Sequence, residues 1–155
     1  MIPSLAKFKE GYSTVMLADD MAVPISKVPE AVQGFLEIQS KYDIYIPPYG
    51  HAGDGNLHTK VLLEPGNPDH WKQAEKAVRE IYDLVLELGG TVTGEHGVAI
   101  SKAEYFKKER ADAIPFMRTI KRALDPNNIL NPYKIFDWED NFLHQLRYPV
   151  EYANK

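Results

Sequence analysis

Two β-prone runs, Tyr42 to Ile46 and Leu57 to Leu63, flank Gly53-Asp54-Gly55-Asn56. Asp-Gly in that setting is a strong hairpin signal, because a two-residue type I′ turn needs positive φ at both central positions. A hairpin commits this part of the chain to antiparallel pairing. With Asp54 and Gly55 at the turn centre, Gly53 pairs with Asn56, Ala52 with Leu57 and His51 with His58. Two histidines then face each other on one side of the ladder. Pro47-Pro48 removes two backbone donors, so the first strand must end, bulge or lie at an edge there.

Helical patterns surround this hairpin. Ser26 precedes Lys27-Val28-Pro29-Glu30, and Val32, Phe35, Leu36 and Ile38 follow at near-helical spacing, which predicts a helix over 28–41. From His70 the apolar positions Ala74, Ala77, Val78, Ile81, Leu84, Val85 and Leu88 predict a long amphipathic helix over 70–88, stopped by Gly89-Gly90. Ser13 to Leu17 reads as a strand that ends at Asp19-Asp20 before the extended Met21-Ala22-Val23-Pro24, and Thr91-Val92-Thr93 as a further short strand. Ser101 is placed to cap a helix with Glu104 at the capping-box position, and Tyr105, Phe116, Ile120 and Leu124 predict one or two helices broken near Pro115, their aromatic residues in the core. Trp138, Phe142, Leu143 and Leu146 suggest a terminal helix within 137–155. The expected fold class is α+β, with an antiparallel sheet from segments near 13–19, 42–49, 57–63 and 91–93, covered on one face by the helices near 28–41 and 70–88.

Composition removes whole classes of function. With 155 residues, 44% hydrophobic and 26% charged, the chain can bury a real core, and one domain is the default. No cysteine is present, which excludes disulfides, thiolate chemistry, iron–sulfur clusters and cysteine-ligated zinc. Any metal must use His, Asp or Glu. A net charge of −4 without a basic run gives no electrostatic footprint for nucleic acid. No apolar run approaches ~18 residues and the first residues lack a signal-peptide pattern, so a cytoplasmic location is expected, with any membrane association peripheral and through partners.

Catalytic residue types concentrate in residues 51–58 and 94–97. Opposed residues on a hairpin have Cβ atoms ~5 Å apart, near enough for His51 and His58 to share a divalent ion. Glu95 is the natural third ligand, because two histidines and one carboxylate leave coordination positions open, as catalytic metals require. His96 then stands beside the metal as a base. Spacing alone leaves other readings open. Two histidines near a turn are commonly satisfied by backbone or water, Glu95 and His96 read equally as an exposed loop pair, and Asp54 reads as a turn residue bonding its own backbone. His70 and His144 have no neighbouring constellation and read as solvated.

Taken together, HAGDGNLH at 51–58, GEHGVAISK at 94–102, DPNNILNPYKIF at 125–136 and DDMAVPISKVPEAV at 19–32 resemble the C-terminal part of FAD-linked oxidases of the vanillyl-alcohol oxidase type. This group includes glycolate oxidases, D-lactate dehydrogenases and D-2-hydroxyglutarate dehydrogenases. The resemblance runs from about Pro3 to Phe136 and implies a C-terminal FAD-linked oxidase domain over 1–136, made of a partial ferredoxin-like cap and a flavin-returning helical segment, with 137–155 as a tail. It implies that His51, His58 and Glu95 hold a divalent metal such as zinc, that His96 is the active-site base, and that Asn131 approaches the flavin. Ala99 and Tyr133 stand where relatives commonly carry glycine, and Lys60 where some place a polar substrate contact.

The resemblance further implies a piece of a larger 2-hydroxy acid oxidase or dehydrogenase, either a fragment or one product of a split gene. An FAD-binding domain or subunit would be the partner and a small 2-hydroxy acid the substrate. The chain alone should then bind no FAD and be inactive, and its unmatched apolar surface should support a homodimer or a flavoprotein contact. Two rival classes follow from the same residues. A stand-alone metal-dependent hydrolase would cleave esters or peptides without FAD, and a non-catalytic partner-binding subunit would hold no metal.

Overall fold

The computed structural model describes residues 9–136, so the helix expected within 137–155, and His144 with it, lies outside the described residues. The chain forms two compact units that divide between His96 and Gly97. The first holds strands β1 (Ser13–Val15), β2 (Met21–Ala22), β3 (Pro48–His51), β4 (Asn56–Thr59) and β5 (Val61–Leu63), with helices α1 (Val28–Ser40) and α2 (Pro68–Glu87). The second holds helices α3 (Ala103–Glu109) and α4 (Ile114–Leu124). The architecture is α+β, as the sequence predicts.

Both long helices lie within two residues of expectation because their ends carry local signals. Asn67 caps α2 by accepting the Asp69 N–H at 3.0 Å, and proline occupies the first turn of both α1 and α2. At the far end of α2, Gly89 turns left-handed at φ 75°, and the N–H groups of Gly89 and Gly90 reach back to Leu86 O (3.0 Å) and Val85 O (2.9 Å), which closes a Schellman motif. Ala31, Phe35 and Ile38 of α1 and Ala74, Ala77, Val78, Ile81 and Val85 of α2 are buried, so the apolar stripes form the core as their periodicity requires. His70 departs from its expected solvation. Its side chain is buried, with Nδ1 accepting the Glu64 N–H at 3.1 Å and the ring 5.7 Å from that of Tyr12.

The sheet is more broken than the sequence suggests. Residues 57–63 divide at Lys60 into β4, central in a three-stranded sheet of order β2-β4-β3, and β5, paired with β1. All pairings are antiparallel. On one side Val15 pairs with Val61 and Met21 with Leu57, so residues 16–20 stand against only residues 58–60 and must bulge out. On the other side Tyr45 bridges to Leu62 and Pro48 pairs with Thr59 in one unbroken register. Pro47 and Pro48 therefore interrupt hydrogen bonding on an edge without shifting the strand. Thr91 makes a single bridge to Ala22, so the strand expected at 91–93 is reduced to one pair. Every residue of β4 and β5 is buried. The half-exposed sheet implied by one covering layer of helices is absent there, and on the face away from the core Asp19 meets His58 and Lys60 while Glu95 meets Asn56 and His58.

Lys41 and Tyr42, just beyond α1, both bond to Glu80 on α2. Burial and the hydrogen bond to Glu80 push the Tyr42 phenol from 10.0 up to about 12. The bonds from Lys41 and Tyr42 hold Glu80 below the ordinary 4.5. A raised phenol contributes stability that is fully present below pH 10.0 and is lost as pH rises through about 12. The depressed carboxyl contributes stability present above pH 4.5 and lost as pH falls through its lowered value. Tyr42→Phe is expected to remove an alkaline step from the pH profile of thermal unfolding, at a cost near neutrality of about 1 kcal/mol. An unchanged alkaline limb would refute this.

In the second unit, α3 starts after Lys102 with no side-chain cap, so Ser101 does not form the expected capping box. Tyr105 is buried, but Phe116 is 74% exposed and lines up with exposed Ile120 and Leu124 along α4, against the expectation that it is core. After α4, Asp125 accepts the N–H groups of Ile129 and Leu130, each at 2.9 Å, and pairs with Lys121, which holds its carboxyl below the usual range. Ala99 and Tyr133 both adopt left-handed backbone, with φ 46° and 62°. For a residue with a Cβ this costs roughly 1–2 kcal/mol that glycine avoids. Ala99→Gly and Tyr133→Gly are each expected to stabilise the chain by about 1 kcal/mol, read as a higher denaturant midpoint at unchanged slope. A lower midpoint in both would show that these positions are not strained.

Candidate metal centre

The hairpin register differs from the two-residue turn. Tyr49 pairs with His58 and His51 with Asn56, which leaves residues 52–55 as the loop. Asp54 N–H donates to His51 O at 3.1 Å, and Asp54 Oδ1 accepts the Asn56 N–H at 3.1 Å, the turn role its residue type suggests. Gly55, at φ 81°, gives its carbonyl to Val23 N–H at 3.0 Å. A Cβ at Gly55 would stand 2.1 Å from Val23 O. The segment just past β2 therefore claims Gly55 and widens the turn.

The change of register keeps the two histidines on one face. His51 and Tyr49 are two apart on β3, as Asn56 and His58 are on β4, so the imidazoles become diagonal rather than direct neighbours. Their ring centroids lie 5.7 Å apart. Leu57, Thr59, Val61 and Leu63 point the other way, into the core.

Glu95 meets this pair from the loop before Gly97. Its Oε1 lies 3.8 Å from His51 Nε2 and 3.5 Å from His58 Nε2. Ligand atoms bound at about 2.0–2.2 Å in a tetrahedral arrangement are separated by roughly 3.3–3.6 Å, so the spacing fits one shared ion. His58 is buried, whereas His51 and Glu95 are exposed toward an open pocket of about 490 Å³. Thr14, Met16, Tyr49, Lys60 and His96 also line it.

The chemistry of the donor set also fits a cation. His58 Nδ1 lies 2.9 Å from Asp19 Oδ1, and a carboxylate oxygen can only accept, so Nδ1 carries the proton. In the neutral ring the Nε2 lone pair then faces the Glu95 carboxylate, whose Oε1 also accepts from Asn56 Nδ2 at 3.3 Å. Acceptors that face each other are reconciled by positive charge between them. A second grouping, Asp20 with Glu95 and His96, also lies within reach of one point. Its Asp20 oxygens already accept N–H and O–H groups from residues 93–96, which leaves their lone pairs directed at donors rather than at an ion.

His96 sits beside the triad. Its Nε2 is 3.7 Å from Glu95 Oε1 and its ring 5.5 Å from that of His58. Adjacent residues of an extended chain point to opposite sides, yet both Glu95 and His96 line the pocket. Asn131 belongs to the second unit, where it is exposed at φ 47°.

Sequence reasoning misses the supports of this site. Asp19 and Asp20 read only as strand terminators, and no pattern places Tyr49, whose ring stacks on His58 at 5.2 Å. Lys60 is buried, with Nζ 3.0 Å from Asp19 Oδ2. A signal exists in the adjacent carboxylates, since two acids ending a β run and preceding an extended apolar stretch are costly to bury without partners.

The sequence matches a known family and several characterised proteins. Residues 1–135 match the family described as FAD linked oxidases, C-terminal domain. Glycolate oxidase subunit GlcD of Bacillus subtilis is 43% identical over 136 residues, covering 87% of this chain and 28% of that protein. The mitochondrial D-lactate dehydrogenase (cytochrome) of Kluyveromyces lactis is 40% identical over 123 residues, 79% of this chain and 21% of its own length. Glycolate oxidase subunit GlcD of Escherichia coli is 32% identical over 116 residues, 74% and 23% respectively. The chain thus spans about a quarter of the length of these relatives. Among the described residues no helix is long and apolar enough to cross a membrane. With the family matched over most of its length, the chain belongs to the FAD linked oxidases as their C-terminal domain.

Proposed function

We propose that this chain is the metal- and base-bearing C-terminal part of an FAD-dependent oxidoreductase that oxidises a small 2-hydroxy acid, glycolate or D-lactate being the substrates its relatives' names suggest. The observation that carries the reading is the approach of Glu95 Oε1 to the Nε2 atoms of both His51 and His58. When bound, a divalent ion such as zinc supplies Lewis acidity toward the substrate's hydroxyl and carboxylate oxygens, and FAD supplies the two-electron acceptor.

The chain's own residues provide the rest. His51, His58 and Glu95 would hold the ion, a donor set of the kind catalytic sites use. His96, next in sequence and half-exposed to the same pocket, accepts the hydroxyl proton at its imidazole. Tyr49 stacks on His58 and limits the ring's motion. Asn131 is assigned to the flavin. The relatives extend well beyond the matched quarter, which supports an FAD-binding domain or partner outside this chain, and the exposed stripe of Phe116, Ile120 and Leu124 supports a covering partner for the second unit.

The test is anaerobic mixing of the FAD-loaded full-length protein, or of this chain joined to its FAD-binding half, with glycolate or D-lactate. Flavin bleaching is expected, should stop after chelation, and should return with added Zn²⁺. Equal bleaching after complete metal removal would overturn the metal assignment. Metal-dependent ester or peptide hydrolysis by the chain alone would favour a hydrolase instead.

A further inference from the structure

We propose that the adjacent carboxylates Asp19 and Asp20 are the positioning residues of this centre, Asp19 fixing the ring and tautomer of His58 and Asp20 fixing the loop that carries Glu95 and His96. The inference rests on the reading of His51, His58 and Glu95 as metal ligands.

The bulge at residues 16–20 delivers the two carboxylates. Five residues there oppose three on β4 and its extension, and the excess is taken up partly at Asp20, whose φ of 59° is left-handed. Aspartate is among the few residues that tolerate this region. The kink sends consecutive side chains to different segments. Asp19 goes to β4, where Oδ1 meets His58 Nδ1 at 2.9 Å and Oδ2 meets Lys60 Nζ at 3.0 Å. Asp20 goes to the loop, where Oδ1 accepts the Glu95 N–H at 2.8 Å, and Oδ2 accepts the His96 N–H at 2.9 Å and the Thr93 hydroxyl at 3.0 Å. Its backbone carbonyl takes the Gly94 N–H at 3.0 Å.

These contacts lie behind the ligating atoms. Asp19 acts at Nδ1, so His58 Nε2 is left without a proton on the side facing Glu95. Asp20 binds two successive N–H groups with one carboxylate, which curls the backbone at 95–96 and turns both side chains toward one pocket. Gly94 fits against this cluster closely, since a Cβ there would stand 2.9 Å from Asn56 Nδ2 and 3.0 Å from Asp20 Oδ1. Both carboxylates are buried, and charge-assisted hydrogen bonds offset the cost of that burial. Lys60 fixes the direction of the effect. With Oδ2 bound to an ammonium, Asp19 has one oxygen left for His58.

This makes Asp19→Asn informative. Its amide oxygen would turn to Lys60 and its Nδ2 would donate to His58 Nδ1, which moves the ring proton to Nε2, the ligating position. The experiment uses the purified chain and two readouts, long-range ¹H–¹⁵N spectra of the neutral His58 ring without metal, and Zn²⁺ affinity by competition titration. The parent should carry the proton on Nδ1. Asp19→Asn should carry it on Nε2 and bind Zn²⁺ about 10–100-fold more weakly. Adding Lys60→Met frees the amide oxygen for His58 and should restore the Nδ1 proton and most of the affinity. Asp20→Asn should leave the His58 tautomer unchanged, speed hydrogen exchange at the Glu95 and His96 amides, and weaken Zn²⁺ by a similar factor. If Asp20→Asn does not fold, the Asp19 variants still decide. An Asp19→Asn chain with the parent's tautomer and affinity would overturn the proposal while leaving the metal assignment intact. A parent chain that takes up no Zn²⁺ would instead remove the metal assignment, and the tautomer switch would still report whether Asp19 sets the ring.

Discussion

His96→Gln in the FAD-loaded protein is expected to lower kcat by about 10²- to 10⁴-fold, the usual worth of a general base, with metal content unchanged. The imidazole lies in the pocket beside the proposed ligands, its Nε2 3.7 Å from Glu95 Oε1, close enough to meet a hydroxyl held there. Glutamine keeps a hydrogen-bonding side chain of related reach but cannot take the proton. Backbone placement should survive, because the contact from Asp20 Oδ2 is to the His96 N–H and not to its ring. Stopped-flow reduction of the flavin by glycolate and D-lactate isolates the chemical step from product release. If the variant reduced its flavin as fast as the parent on the better substrate, His96 would have to be reassigned to substrate positioning or to the loop alone.

Loss of a ligand should act differently. His58→Ala removes a buried proposed ligand whose ring is held by Asp19 on one side and stacked by Tyr49 on the other. Zn²⁺ affinity should fall by more than the roughly 10–100-fold that removal of an outer partner costs, and the FAD-loaded protein should lose activity in proportion. Glu95→Gln should have the same effect, since it withdraws the carboxylate approached by both histidines. His58→Ala also leaves the buried Asp19–Lys60 pair without one of its contacts, so a stability loss of about 2–4 kcal/mol is expected for that variant. Glu95 is half-exposed and should cost much less. The two variants together therefore separate metal loss from unfolding. Retention of stoichiometric zinc by either, after dialysis against chelator, would show that the ion sits elsewhere.

The two long helices are legible in the sequence because their information is local. The apolar stripes of 28–41 and 70–88, a proline in each first turn and Gly89-Gly90 act within a few residues of the bonds they make. The face shared by His51 and His58 is legible for a related reason. A period of two along each strand puts them on one side under either register, so the two-residue turn, though incorrect, still gives the right face. Ala99 and Tyr133, singled out in the sequence as positions where the resembled family carries glycine, adopt the left-handed backbone that glycine takes without strain. Phe116 is misplaced by its periodicity because helical spacing marks an apolar stripe without saying whether this chain or another covers it.

Sequence alone determined the α+β class, the hairpin, the helices and the residue types gathered at 51–58 and 94–97, since propensity, turn chemistry and periodicity act over short range. Tertiary structure decided the register, because Gly55 O is claimed by Val23, just past β2 and some thirty residues earlier in the chain. It also decided which groups contact the proposed ligands from behind. Asp19 reaches His58 across 39 positions and Asp20 reaches His96 across 76, and contacts at such separation leave no period in the sequence. They arise only when residues 16–20 are forced out against three residues of the neighbouring strand, a length mismatch that exists once the pairings on both sides of it have formed.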